Sequence, residues 1–316
     1  MPNIPRFVPY AAVIAFAIWC ALSLRGDLAQ VSLEPLLRSW DIVLLAAVLS
    51  LLNYVFRALR WRTYLRKLGH SLPRGFVALT YVAGFAYTLS PGKVGEMVRA
   101  RYYLPLGVPL TDVAAAFFAE RLLDLVAMVV LSALMFSADS RYAPAIISAA
   151  GLVVVVLVML AIVPWPKLAA QARSWEWLPR ALRAPVAGGL AALVATRPLL
   201  RPGILAWGFL GGVIAWGLEG AGLGLLGSIY SGVHLPLQTA VGIYGVAVLI
   251  GGLSLLPGGL GSTEAVMTAL LIAHGFPISK ALLLTLTCRL VTLWFAVCLG
   301  WIAVLLLRPK SLATET

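Results

Sequence analysis

The chain has 316 residues, 61% of them hydrophobic and only 11% charged, where a soluble domain carries roughly 25% charged residues. With a mean hydropathy of +0.97, that composition excludes a water-soluble globule and a disordered chain, and leaves a polytopic membrane protein. The formal charge of +12 does not point to nucleic acid, because the basic residues cluster in a few inter-helix segments, where they act as topology signals and meet anionic head groups at the cytoplasmic face.

Residues 7–24 form an apolar stretch behind a basic start at Arg6, lack a small-x-small cleavage site, and read as a retained first helix running outward. Residues 40–58 return inward to a basic segment, Arg57–Arg74, which holds Arg57, Arg60, Arg62, Arg66, Lys67 and Arg74 without an acid. A second basic segment, Pro164–Pro202, holds Lys167, Arg173, Arg180, Arg183, Arg197 and Arg201 against Glu176. Short loops rich in Lys and Arg stay in the cytoplasm, so both segments, the N-terminus and the tail with Arg308 and Lys310 are placed there. Residues 25–39, 137–143 and 229–238 are charge-balanced or uncharged and read as external.

With 111–136 running outward and 144–163 inward, residues 76–104 must begin and end on the cytoplasmic side. Their first limb, Phe76–Ser90, spans about 22 Å at 1.5 Å per residue, short of the roughly 30 Å hydrocarbon layer. Pro91-Gly92 then ends the helix, which predicts a re-entrant hairpin turning back within the bilayer. Trp165, Trp175 and Trp177, with Lys167 and Arg173, predict an interfacial amphipathic anchor in the connector. Residues 203–228 run outward, 239–274 leave and return on the outer side with a break at Pro257-Gly258-Gly259, and 277–307 run inward to the tail.

The two hairpins also match in sequence. Pro91-Gly92-Lys93-Val94-Gly95 aligns with Pro257-Gly258-Gly259-Leu260-Gly261 at an offset of 166; Glu96 aligns with Glu264, Gly107-x-Pro109 with Gly275-x-Pro277, and Arg121 with Arg289 at 168. A two-residue insertion, Ser262-Thr263, reconciles the offsets. The expected fold is therefore an all-α, polytopic inner-membrane helix bundle with two re-entrant helical hairpins in an inverted-topology repeat, an arrangement typical of transporters. One membrane domain covers 1–316, with halves at 40–163 and 203–307 joined by the cytoplasmic connector 164–202.

P-G-K-V-G-E at 91–96, E-R-x-x-D at 120–124 and L-P-G-G-L-G-x-x-E at 256–264 resemble the flippase-like membrane family that includes the N-terminal transmembrane domain of lysyl-phosphatidylglycerol synthases. The resemblance covers roughly residues 40–307. It implies a helical bundle in a bacterial cytoplasmic membrane that moves a lipid with a bulky polar head group between leaflets, beside a lipid-synthesising enzyme as a possible partner. The sequence ends at Thr316, nine residues after the last apolar stretch, so neither an aminoacyltransferase domain nor synthase activity is expected. Stand-alone members accompany hopanoid and polyprenyl-linked glycan pathways, so the alternative is a membrane enzyme or accessory protein acting on such a lipid-linked substrate.

Charges deep in a membrane helix are costly and usually face a wet cavity or one another. Arg121 and Arg289 lie deep at equivalent places in the two halves, and the functional reading has them holding a lipid phosphate by charge-assisted bonds. The plainer reading is internal pairing: Arg121 with Asp124 three residues on, Glu120 and Asp124 sharing that helical face, and Glu96 or Glu264 neutralising either arginine across helices. Glu96 and Glu264 follow the glycine turns, where they cap a helix N-terminus, bind a cationic head group or carry a proton. Gly92, Gly95, Gly258, Gly259 and Gly261 either admit an anionic head group to the backbone or only permit the turns. Lys93 sits in the first turn; Arg99 and Arg101 either attract head groups into the cavity or, the plainer role, snorkel to the interface; Glu219, among Gly217, Gly220, Gly222 and Gly224, pairs with Arg289 or lines the cavity.

Cys20, Cys288 and Cys298 share no metal or disulfide spacing, and neither do His70, His234 and His274, so no metal and no cofactor is expected. No zinc-protease motif, nucleophile elbow or nucleotide loop is present, which argues against an enzyme.

Overall fold

A computed structural model describes residues 33–137, 143–175, 177, 179–230 and 232–307. The expected first helix at 7–24, most of the 25–39 and 137–143 segments, and Arg308 and Lys310 lie outside those residues. Thirteen α-helices are described: α1 Glu34–Arg38, α2 Trp40–Lys67, α3 Arg74–Gly84, α4 Ala100–Tyr103, α5 Leu110–Ala133, α6 Ala143–Ile162, α7 Trp165–Gln171, α8 Arg180–Ala195, α9 Pro202–Gly227, α10 Leu237–Leu253, α11 Ser262–Ala273, α12 Ile278–Arg289 and α13 Phe295–Leu306. No strand occurs among the described residues. Three helical segments there are long and apolar enough to cross a membrane: α2, α9, and α12 with α13 taken together.

The centre of the bundle is α9, packed against α2, α5, α10 and α12. Gly220 on α9 makes the close approach to α10 possible, because a Cβ there would lie 2.8 Å from the Val241 Cα. The helix α2 is amphipathic in reverse. Ser50, Asn53, Arg57, Arg60 and Tyr64 form a polar stripe that is buried, while Leu44, Val48, Leu51, Val55 and Leu59 line the exposed face. That pattern suits a helix whose outer surroundings are hydrocarbon and whose polar groups must find partners inside.

Three boundaries differ from those read in the sequence. The helix expected over 40–58 continues to Lys67, so Arg57 and Arg60 are interior helix residues and not part of a basic loop. The limb expected over 76–90 is α-helical only to Gly84 and tightens into a 3-10 turn at Phe85–Tyr87. Ser90 precedes Pro91 and is extended (φ −80°, ψ 150°), the conformation a following proline imposes. The helix expected over 277–307 contains a π-helical segment, Leu290–Trp294, directly after Arg289.

The two breaks share one backbone. Gly92 and Gly258 have φ of 59° and 61°, and the next residues, Lys93 and Gly259, have φ of 57° and 66°. Downstream, each half closes a helix with a glycine-centred cap. Gly107 N–H donates to Leu104 O and Val108 N–H to Tyr103 O, while Gly275 N–H donates to Ile272 O and Phe276 N–H to Leu271 O. Pro109 and Pro277 then start α5 and α12 with near-identical torsions.

Candidate functional site

Where the breaks meet α2, α5, α9, α10 and the π segment, they border an open cavity of about 530 Å³. Its charged lining is Arg57 from α2, Lys93 from the first break, Arg121 and Asp124 from α5, Glu219 from α9 and Arg289 from α12. Four of those six groups are cations. Tyr54, Trp216 and Tyr244 supply polar-tipped rings, and Val248, Leu249, Leu253 and Leu256 supply apolar wall.

Behind the first half of the lining lies a buried ion cluster. Glu120 is its hub: Arg99 Nη1 donates at 3.2 Å, Arg121 Nη2 lies 3.3 Å away, Arg60 Nη2 3.5 Å and Arg57 Nη2 3.6 Å, and Tyr81 donates its hydroxyl to Oε1. Asp124 accepts from Arg60 Nη2 at 2.5 Å and lies 3.5 Å from Arg121. Glu96 accepts from Arg99 Nη2 at 2.7 Å, from Thr88 Oγ1 at 2.9 Å and from Arg121 Nη2 at 3.5 Å. Four guanidiniums thus face three carboxylates, and a positive charge is left over on the cavity side. Buried charges need such partners, since removing one strands the others in a low-dielectric interior.

A sparer Arg–Glu pair lies at the second break. Arg289 Nε donates to Glu264 Oε1 at 2.5 Å, and its Nη2 to Gly258 O at 2.8 Å. Arg121–Glu96 and Arg289–Glu264 are each separated by 25 residues. Arg289 therefore has a carboxylate that its own helix does not provide, supplied across helices.

Several expectations change here. Arg99 does not snorkel; it is fully buried, its guanidinium lying 4.0 Å over Tyr81 and 4.9 Å over Trp61 and holding two carboxylates. Glu264 does cap, accepting the Gly261 N–H at 2.7 Å, whereas Glu96 does not; Gly95 N–H is met by Ser90 Oγ at 2.5 Å instead. Glu219 makes no ion pair with Arg289 or any other described residue, and accepts only the Tyr244 hydroxyl. Pro91 and Pro257 stand at the breaks; Gly92, Gly258 and Gly259 line the cavity, and Gly95 and Gly261 do not. His70 pairs with Asp112 at 2.7 Å, away from the cavity lining.

The sequence reading missed Arg57 and Arg60, having assigned them to topology. The available signal was the 53-57-60-64 spacing of Asn, Arg, Arg and Tyr inside an apolar helix. Arg57 is 4% exposed, sits 4.9 Å over the Trp216 ring, and has no hydrogen-bond acceptor for Nε or Nη2; Trp216 Nε1 is likewise without one. Also unforeseen was Tyr54, whose hydroxyl donates at 2.6 Å to Thr292 O within the π segment.

Comparison with known proteins places these features in a family. The family model described as the lysylphosphatidylglycerol synthase TM region matches residues 10–300. Two curated relatives are "UPF0104 membrane proteins". That of Methanothermobacter thermautotrophicus is 24% identical over 95% of this chain and 93% of its own length, and that of Pyrococcus horikoshii is 24% identical over 83% and 86%.

Proposed function

The chain belongs to the lysylphosphatidylglycerol synthase TM-region family and is an integral membrane protein, and from that premise we propose that it is a lipid transporter. It carries a lipid with a phosphate-bearing head group between leaflets of the bacterial cytoplasmic membrane through the central cavity. The observation that carries this reading is the lining: four cations against two carboxylates around a space bordered by leucines and Val248. A phosphate compensates that excess, and acyl chains lie along the apolar wall and out into the bilayer.

In this reading the two breaks are the tips of re-entrant hairpins related as inverted repeats, with the halves at 40–163 and 203–307 and the termini in the cytoplasm. Support comes from the matched torsions at Gly92 and Gly258 and from the recurrence of the Arg–Glu pair at one separation. The cavity is exposed to one leaflet and then the other as the halves rock about the breaks, the general scheme of transporters built from inverted repeats. Arg121 and Arg289 hold the phosphate, with Lys93 completing the basic wall; Glu96, Glu120, Asp124 and Glu264 hold those guanidiniums in position.

The test is leaflet exchange of a fluorescent phosphate-headed lipid in vesicles containing the purified protein. Exchange is expected in the wild type and lost in Arg121→Gln and Arg289→Gln, with both variants still inserting. Full exchange in both variants, or product formation without exchange, contradicts the proposal.

A further inference from the structure

Five carboxylates surround the cavity, and four of them (Glu96, Glu120, Asp124 and Glu264) have a guanidinium within 4 Å. Glu219 is the exception. It is 4% exposed, lies mid-helix on α9, lines the cavity, and has one hydrogen-bond partner, the Tyr244 hydroxyl. It makes no ion pair with any described residue. A carboxylate that served only packing would not need to face a cavity. One that served only to hold an arginine would have an arginine beside it.

We propose that Glu219 is a proton-binding site, and that its protonation accompanies entry of the anionic head group, so that one proton and one phosphate-headed lipid occupy the cavity together. The inference rests on the transporter reading and adds its coupling ion.

The argument is electrostatic and local. With Glu219 ionised, the lining holds four cations and two carboxylates; a proton on Glu219 leaves one. A phosphate held by Arg121 and Arg289 beside Lys93 shares a cavity with Glu219, and the field of Arg57, Lys93 and Arg289 reaches that carboxylate. An entering anion opposes the ionised form directly and also takes up part of the cationic field that had favoured it. Linkage then requires the converse: protonation of Glu219 strengthens anion binding by the same factor. The proton needs no separate acceptor, since it arrives on Glu219 from water in the cavity and leaves the same way once the head group departs.

The other groups around Glu219 do not serve this role. From α2, Tyr54 donates to Thr292 O, and Arg57 is a permanent cation. From α5, Asp124 is held by Arg60 and Arg121. From α10, Tyr244 donates to Glu219 itself, and from α12, Cys288 is buried beside the permanent cation Arg289. Lys93 is the one further titratable group, and the experiment separates it from Glu219.

Binding of dihexanoyl-phosphatidylglycerol, a phosphodiester whose own charge is constant over the range, is measured on the full chain in detergent. Wild-type affinity is expected to fall by about fivefold or more between about pH 5.5 and about pH 8.5. Binding is expected to be accompanied by proton uptake from a weakly buffered solution. Glu219→Gln is expected to bind at the strength of the acid-side wild type at every pH, without proton uptake. Lys93→Met is expected to bind more weakly and keep the slope. In Tyr244→Phe, which deletes a single hydroxyl, the transition moves to higher pH because the ionised carboxylate has lost its donor.

A pH-independent wild type, or a slope that survives in Glu219→Gln, overturns the inference while leaving the transporter reading standing. Absence of diester binding at any pH overturns both.

Discussion

Lys93 is one of two described residues other than glycine with a left-handed backbone, the other being Leu255, and it stands where the second break has Gly259. A side chain in that conformation costs roughly 1–2 kcal/mol, so a lysine is retained there against the local preference. Its amine lies 5.3 Å over the Trp216 ring on the cavity wall. Lys93→Gly is accordingly expected to melt at an equal or higher temperature while exchanging lipid more slowly; faster exchange would contradict the basic-wall role. Glu120 presents the opposite case. Glu120→Gln leaves Arg57, Arg60, Arg99 and Arg121 short of a countercharge in the interior, and a loss of about 3–5 kcal/mol is expected in unfolding measurements. At this scale the sequence was only half legible. Arg121, Glu120, Asp124 and the Arg–Glu repeat stood out because charges inside apolar runs are conspicuous. Arg57 and Arg60 did not, since a basic residue near the end of an apolar run looks like a topology signal until the helix is known to continue past it.

The breaks differ in how tightly their glycines are held, although their torsions match. A Cβ on Gly258 would lie 2.6 Å from Leu89 Cδ2 across the two breaks, whereas one on Gly92 would meet nothing closer than Val94 at 3.9 Å. Gly92→Ala is expected to pay the backbone penalty alone, and Gly258→Ala that penalty plus displacement of Leu89. Thermal unfolding of the two variants checks the order, and a larger loss at Gly92 would contradict it. Proline-glycine pairs made both breaks readable in advance, because their chemistry is local. The π segment after Arg289 and the early 3-10 turn at Phe85 were not readable. Tyr54 comes from α2, and its bond to Thr292 O crosses 238 residues, a partnership no local pattern carries.

At the scale of the whole molecule, the described residues bury the charges of the helix interiors, Arg57, Arg60, Glu120, Asp124, Glu219 and Arg289 among them, and expose many leucines, as residence in hydrocarbon requires. Composition alone foretold that inversion. Hydropathy did not foretell that the leftover cations of the ion cluster would border one cavity together with the second break, because that depends on how the halves pack. The charge pattern further predicts sidedness. A cysteine introduced at His70 should be labelled by an impermeant reagent only from the cytoplasm, and one at His234 only from outside; labelling of both from one side would contradict the inverted arrangement. The central claim is that a phosphate head group occupies the cavity beside the buried guanidiniums. A density map of the protein in phospholipid nanodiscs tests it most directly. The account predicts phosphate density within hydrogen-bond reach of Arg57, Arg121 or Arg289, with acyl chains leading into the bilayer. A cavity closed to both leaflets, with every head group confined to the rim, would contradict it.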